Sequence, residues 1–125
     1  RDFDLDGLNQ RKAKIEEITK TLQQKYGEDR IIVEIKDSYY NMKEKIEPVM
    51  YIIDLAKKAM KDADIEPKIV PIRGGTDGAR ISYMGIPTPN LFTGGYNFHG
   101  YYEYAVAEEM EKAKEVIINI VKNNK

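Results

Sequence analysis

The 125-residue chain has no cysteine, no tryptophan and a single histidine. Without cysteine it can hold neither a disulfide nor a thiolate zinc site, and a reducing compartment, the cytoplasm, is the expectation. One histidine builds neither a metal centre nor a catalytic dyad by itself. An excess of one charge is also missing: 20 Lys and Arg stand against 21 Asp and Glu, for a net charge of −1. That balance gives no support to a nucleic-acid or anionic-membrane partner. No apolar run approaches the roughly 18 residues of a membrane span. An initiator Met is absent too. The opening "RDF" reads as the end of a strand whose start has been cut away, so a piece of a longer protein is expected.

What is there fits a packed chain. Hydrophobic residues make up 42% and charged residues 33%, enough apolar material for one ordinary domain or two small pieces of larger ones. Residues 5–26 carry Leu5, Leu8, Ile15, Ile18, Leu22 and Tyr26 on one helical face, with Asp4 as a start cap and Gly27 as a stop. "RIIVEIK" (30–36) reads as a strand, and "DSYYNMKEKIEP" (37–48) as a loop or strand edge. Val49, Ile52, Ile53, Ala56, Ala59, Met60 and Ala63 predict a helix over 49–63. "KIVPI" (68–72) reads as a short strand made irregular by Pro67 and Pro71. The composition then turns to Gly, Pro, Thr, Asn and aromatics from 73 to 100. A short helix over 77–84 and a strand at "PNLFT" are expected there, and a long helix over 103–122 follows. The fold class is mixed α/β (α+β), with a seam near Arg73–Gly75.

Three stretches could carry chemistry. In "PIRGGTDGA" (71–79), Gly74 and Gly75 permit a tight turn, and Thr76 or Asp77 can cap a helix whose free N–H groups suit a carboxylate or phosphate. Arg73 adds a forked cation. The plainer reading is a capped glycine turn with Arg73 in a surface ion pair. The GxxxxGK[ST] spacing of a phosphate loop is absent. In "DSYYNM" (37–42), Tyr39, Tyr40 and Asn41 can line a polar pocket wall, or simply end a strand with half-buried rings. In "TGGYNFHG" (93–100), His99 can ligate a metal, with Glu103 four residues on, although Gly100 weakens a helical turn between them. A surface hydrogen-bonding role is the alternative. The acidic clusters Glu16, Glu17, Glu108, Glu109 and Glu111 read as solvated helix faces.

"DSYYNM", "PIRGGTDGARISYMGIPTPNLFTGG" (71–95) and "YNFHG" (96–100), with the opening "RDFD", resemble the C-terminal part of the peptidase T family. These are tripeptide aminopeptidases in a di-zinc metallopeptidase group that also holds carboxypeptidases, dipeptidases and aminoacylases. The resemblance runs from Arg1 to about Val121. It implies a catalytic domain carrying an inserted lid, a β-sheet with two helices on one face. Residues 1–72 would be most of that lid, lacking its first strand, and residues 73–125 the segment that returns to the catalytic domain. It further implies that His99 is the last zinc ligand. Arg73 and Arg1 would hold the substrate carboxylate, Asn41 would face the cleft, and Gly94 and Gly95 would allow close substrate approach. The other ligands and the general base of the family have no counterpart here, and Tyr101 and Tyr102 stand where a second His is usual.

The implied cofactor is therefore a pair of zinc ions in an intact enzyme, with none held by this piece alone. The implied partner is a short peptide in the intact enzyme; the open edge of a lid sheet lacking its first strand could also pair with a second copy, while charge and hydropathy point to no nucleic acid and no membrane. A stand-alone module that binds a small anion at Arg73 and the Gly74–Thr76 turn, or that dimerises, is the alternative.

Overall fold

A computed structural model describes residues 2–72 and 74–124. The first helix, α1 (Leu5–Tyr26), has the bounds its sequence predicts. The Asp4 carboxylate accepts the Gly7 N–H at 2.9 Å, and Gly27 ends the helix at φ 103°, where a residue without a Cβ is unstrained. A 3-10 turn (Glu28–Arg30) leads into an irregular stretch, then α2 (Lys43–Ile46), a second 3-10 turn (Glu47–Val49) and α3 (Tyr51–Lys61). After a second irregular stretch come α4 (Asp77–Tyr83), β1 (Gly95–Tyr96), β2 (Tyr104–Ala105) and α5 (Ala107–Asn123).

The class is mixed α/β and mostly helical. The lid-type sheet is corrected. Among the described residues the one ladder is β1 against β2, antiparallel, with Gly95 opposite Ala105 and Tyr96 opposite Tyr104. Residues 30–36, 68–72 and "PNLFT" form no ladder. The physical reason lies in pairing, because a strand is completed only by a neighbour that takes its N–H and C=O groups. Residues 31–37 lie along α1 instead. The Gln23 side-chain amide donates to the Ile31 carbonyl at 2.9 Å, and the Lys12 ammonium donates to Asp37 at 2.7 Å. Val33 and Ile35, expected with Ile31 on one buried strand face, are 45% and 38% exposed.

The start of α5 also differs from the expected 103–122. Tyr104 and Ala105 are consumed by the hairpin, and Val106, extended at φ −101°, precedes the first helical turn. Glu108 and Glu109 in that turn and Lys122 in the last complement the helix dipole.

The buried core joins α3 to α5. Ala59, Ala63 and Val116 are fully enclosed, with Met60, Ile65, Phe92 and Ile120 packed around them. The small alanines let the two helices approach closely. Polar side chains then lock the flanks. Lys58 donates to Asn123 at 2.7 Å, Asn123 donates to Asp62 at 2.8 Å, and Lys112 donates to the Ala63 carbonyl at 3.1 Å.

Candidate functional site

His99 sits in the seven-residue loop, 97–103, that joins β1 to β2. The hairpin is fixed at its base by stacked rings, Tyr96 and Tyr104, whose centroids are 5.1 Å apart. Tyr96 also reaches α5, donating its hydroxyl to the Glu109 carboxylate at 2.7 Å. That bond to a carboxylate holds the phenol proton and raises the Tyr96 pKa. Below the hairpin, Gly94 lies so close to α5 that a Cβ would stand 2.9 Å from the Met110 nitrogen, and its φ is 78°. A Cβ on Gly95 would strike the Phe98 ring at 2.6 Å. Both glycines thus let the chain pack closely on itself.

Inside the loop, Asn97 and His99 both adopt left-handed backbone, at φ 55° and 63°. The Gly100 N–H donates to the Asn97 carbonyl at 2.8 Å, and the Asn97 side-chain amide donates to the Tyr102 carbonyl at 3.2 Å. The Glu103 carboxylate accepts the His99 backbone N–H at 2.9 Å. Glu103 thus braces the backbone of His99, in a turn and not on a shared helical face. His99 is exposed. Among the described residues no three His, Asp or Glu side chains converge as a metal site. This donor set does not fit a zinc ion on its own, because zinc takes at least three protein ligands.

The other two candidate stretches meet each other. The Tyr39 ring covers Gly75, where a Cβ would stand 2.8 Å from Tyr39 Cδ1. Tyr40 packs on Tyr83 of α4 with ring centroids 5.6 Å apart. The structure thus brings "DSYYNM" against the glycine turn and α4. Asn41 is engaged at three points. Its side-chain amide donates to the Phe3 carbonyl at 2.8 Å, its Oδ1 accepts the Lys43 N–H at 3.0 Å, and its carbonyl accepts the Tyr83 hydroxyl at 3.2 Å. Arg1 and Arg73 lie outside the described residues.

Of the two caps expected for α4, Thr76 is the one used. Its Oγ1 accepts from the Ala79 N–H at 3.2 Å and from the Asn90 side chain at 3.1 Å. Behind it, a Cβ on Gly78 would stand 2.6 Å from the Thr88 carbonyl, so this helix packs directly on the following loop.

Sequence reasoning missed one charge cluster. Asp37 accepts from both Lys12 and the Tyr40 hydroxyl, at 2.7 and 2.8 Å. The Lys12 hydrogen bond foremost, and then the Tyr40 hydroxyl, hold its carboxyl below the ordinary range, while Asp37 raises Tyr40 in return. A Lys and an Asp 25 residues apart carry no local signal of their meeting.

No family model matches the chain. Individual relatives do. It is 62% identical over 122 residues to the peptidase T of Geobacillus sp. (strain WCH70) and to that of Geobacillus kaustophilus. It is likewise 62% identical to the peptidase T of Clostridium perfringens (strain 13). Each match covers 98% of this chain and 30% of the relative. The chain is thus homologous to peptidase T along almost its whole length, and spans about 30% of the length of those curated relatives.

Proposed function

We propose that this chain is the C-terminal part of a peptidase-T-like zinc aminopeptidase that removes the N-terminal residue from tripeptides in the cytoplasm. The observation that carries the reading is the identity to proteins named peptidase T along 98% of the chain. In this reading residues 1–72 belong to a lid and residues 73–125 to the catalytic domain. His99 is one ligand of a two-zinc centre whose other ligands lie elsewhere in the longer polypeptide. Arg73 and Arg1 hold the substrate carboxylate, which turns orientation into rate, and Asn41 faces the cleft. The isolated 125 residues are inactive, because one ligand does not retain zinc.

The test is tripeptide hydrolysis and zinc content in the longer polypeptide. His99→Ala should lower hydrolysis by at least about a hundredfold, since even residues that only orient a ligand are worth 10–100-fold. Arg73→Ala should raise KM more than it lowers kcat. Hydrolysis that survives both a chelator and His99→Ala would sink the reading.

A second reading, self-association, is favoured by the exposure of Ile32, Val33, Ile35, Ile69, Val70 and Ile72 in segments that have no strand partner.

A further inference from the structure

We propose that Tyr83 is a positioning residue for peptide binding: its ring and hydroxyl clamp residues 39–45 onto α4, so that Asn41 and the glycine turn 74–76 form one surface assembled before substrate arrives. The role in peptide binding rests on the reading above, in which Asn41 faces the cleft and Arg73 holds the substrate carboxylate. The clamp itself does not depend on that reading.

Residues 39–42 belong to no helix and no ladder, so side chains must hold them in place. Tyr83 is the side chain that reaches them across the seam expected near 73–75. Its hydroxyl proton lies within reach of two acceptors, the Asn41 carbonyl at 3.2 Å and the Glu44 carboxylate at 3.3 Å. Its ring packs on Tyr40, tilted by 42°. The Lys45 ammonium stands 4.9 Å from the ring centroid, a cation–π contact, and also donates to Glu44 at 3.0 Å. Partial burial foremost, and then the Glu44 carboxylate, raise the Tyr83 pKa, so the phenol keeps the proton it donates.

α4 is a firm base for the clamp. The Ser82 hydroxyl, buried, donates to the Gly78 carbonyl at 2.7 Å and accepts the Thr88 N–H at 2.9 Å. With the bond from Asn90 to Thr76, this ties α4 to the loop that follows it. Residues 39–45 are then tied to α4 through Tyr83, with the Tyr39 ring lying on Gly75. Two stretches that could have met only on substrate binding are therefore already joined. A site assembled in advance loses less binding energy to its own ordering.

The first measurement is amide hydrogen exchange by NMR in the 125-residue chain. Tyr83→Ala should speed exchange about tenfold at Lys43, Lys45 and Ile46, whose N–H groups are bonded within the clamped stretch. Tyr83→Phe keeps the ring contacts and loses the hydroxyl, so its rates should fall between those of the parent and Tyr83→Ala. Amides around Val116 should not change. Equal rates at the three amides in the parent and Tyr83→Ala overturn the proposal. If Tyr83→Ala loosens Val116 as well, Tyr83→Phe decides: faster exchange confined to the three amides supports the clamp, and parent rates overturn it.

The second measurement is tripeptide hydrolysis in the longer polypeptide. Tyr83→Ala should raise KM about tenfold and lower kcat by less, with Tyr83→Phe recovering part of the loss. A merely structural role would reduce the active fraction, and so the apparent kcat, and leave KM unmoved. An unmoved KM overturns the positioning role. A KM indifferent to Arg73→Ala overturns the reading of the substrate site, and the positioning role with it. The exchange rates then still decide whether Tyr83 clamps residues 39–45.

Discussion

Asp37 is the residue whose chemistry most directly ties α1 to the segment that follows it. Its carboxylate takes a hydrogen bond from Lys12 and another from Tyr40, and its pKa is lowered by the two in that order. A carboxyl whose folded pKa lies below its unfolded value of about 3.9 adds stability above that pH and loses it as pH falls through the folded value. Tyr40, raised by Asp37, has the opposite sense. Its contribution is complete below the ordinary tyrosine value of about 10 and is lost as pH rises through the folded one. Asp37→Asn should therefore be less stable than the parent at neutral pH, with the difference closing on acidification below about pH 4. Denaturant melts at a series of pH values check this. A gap between the two proteins that stays constant into acid would refute the linkage.

At the same scale, the single His in a glycine-rich loop was visible as a candidate from the sequence alone. Glu103 was visible as a neighbour, though not as the acceptor for the His99 amide. That role depends on backbone dihedrals which no residue spacing encodes. The Thr76 cap was legible because Ser, Thr, Asp and Asn at a helix start act through one local bond.

At the scale of elements, legibility followed the range of the interactions. α1 closes its own hydrogen bonds and is capped by its immediate neighbours, so its bounds follow from periodicity and punctuation. Residues 30–36 and 68–72 have the alternation of strands, yet a strand depends on a partner that the sequence does not name. α5 begins later than its apolar stripe suggests because the hairpin takes Tyr104 and Ala105 first. The contact between α3 and α5 is the long-range event that holds the core, and Val116 stands at its centre, fully buried between Ala59 and Ala63. Val116→Ala removes two buried carbons at a site enclosed with Ala59 and Ala63 under Met60, Ile65, Phe92 and Ile120. It should cost about 2 kcal/mol, as lost transfer energy plus a residual cavity. Val121→Ala, on the same helix but 70% exposed, should cost less than about 0.5 kcal/mol. Urea unfolding of the pair provides the comparison. Equal losses would mean that α5 does not gain its stability from α3.

At the scale of the whole molecule, the apolar residues exceed what the fold encloses. Four of the six buried apolar side chains among the described residues are alanines: Ala56, Ala59, Ala63 and Ala79. Apart from Ile46 and Val116, the larger ones are at best partly covered, and many remain at the surface. On α1, Ile15 and Ile18 are close to half exposed, and no residue of that 22-residue helix is buried. Ile32, Ile69 and Val70 lie still more open. So many large apolar side chains left open mark faces on which something else packs. The relatives are more than three times as long as the matched segment, so the rest of a longer polypeptide is one available cover, and a second copy is another.

The isolated 125 residues should therefore bind a hydrophobic dye strongly and associate with rising concentration. Ile18→Glu combined with Ile32→Glu should weaken both effects and leave the helical signal unchanged, since exposed substitutions shift stability by only about 0.5 kcal/mol. The longer polypeptide, with those faces covered from within, should be dye-silent and show no such association. Sedimentation and dye titration of all three proteins separate the cases. Association that persists in the longer polypeptide and falls with the double substitution would assign the faces to a second copy. A dye-silent, monomeric 125-residue chain would mean that these side chains have no missing partner at all.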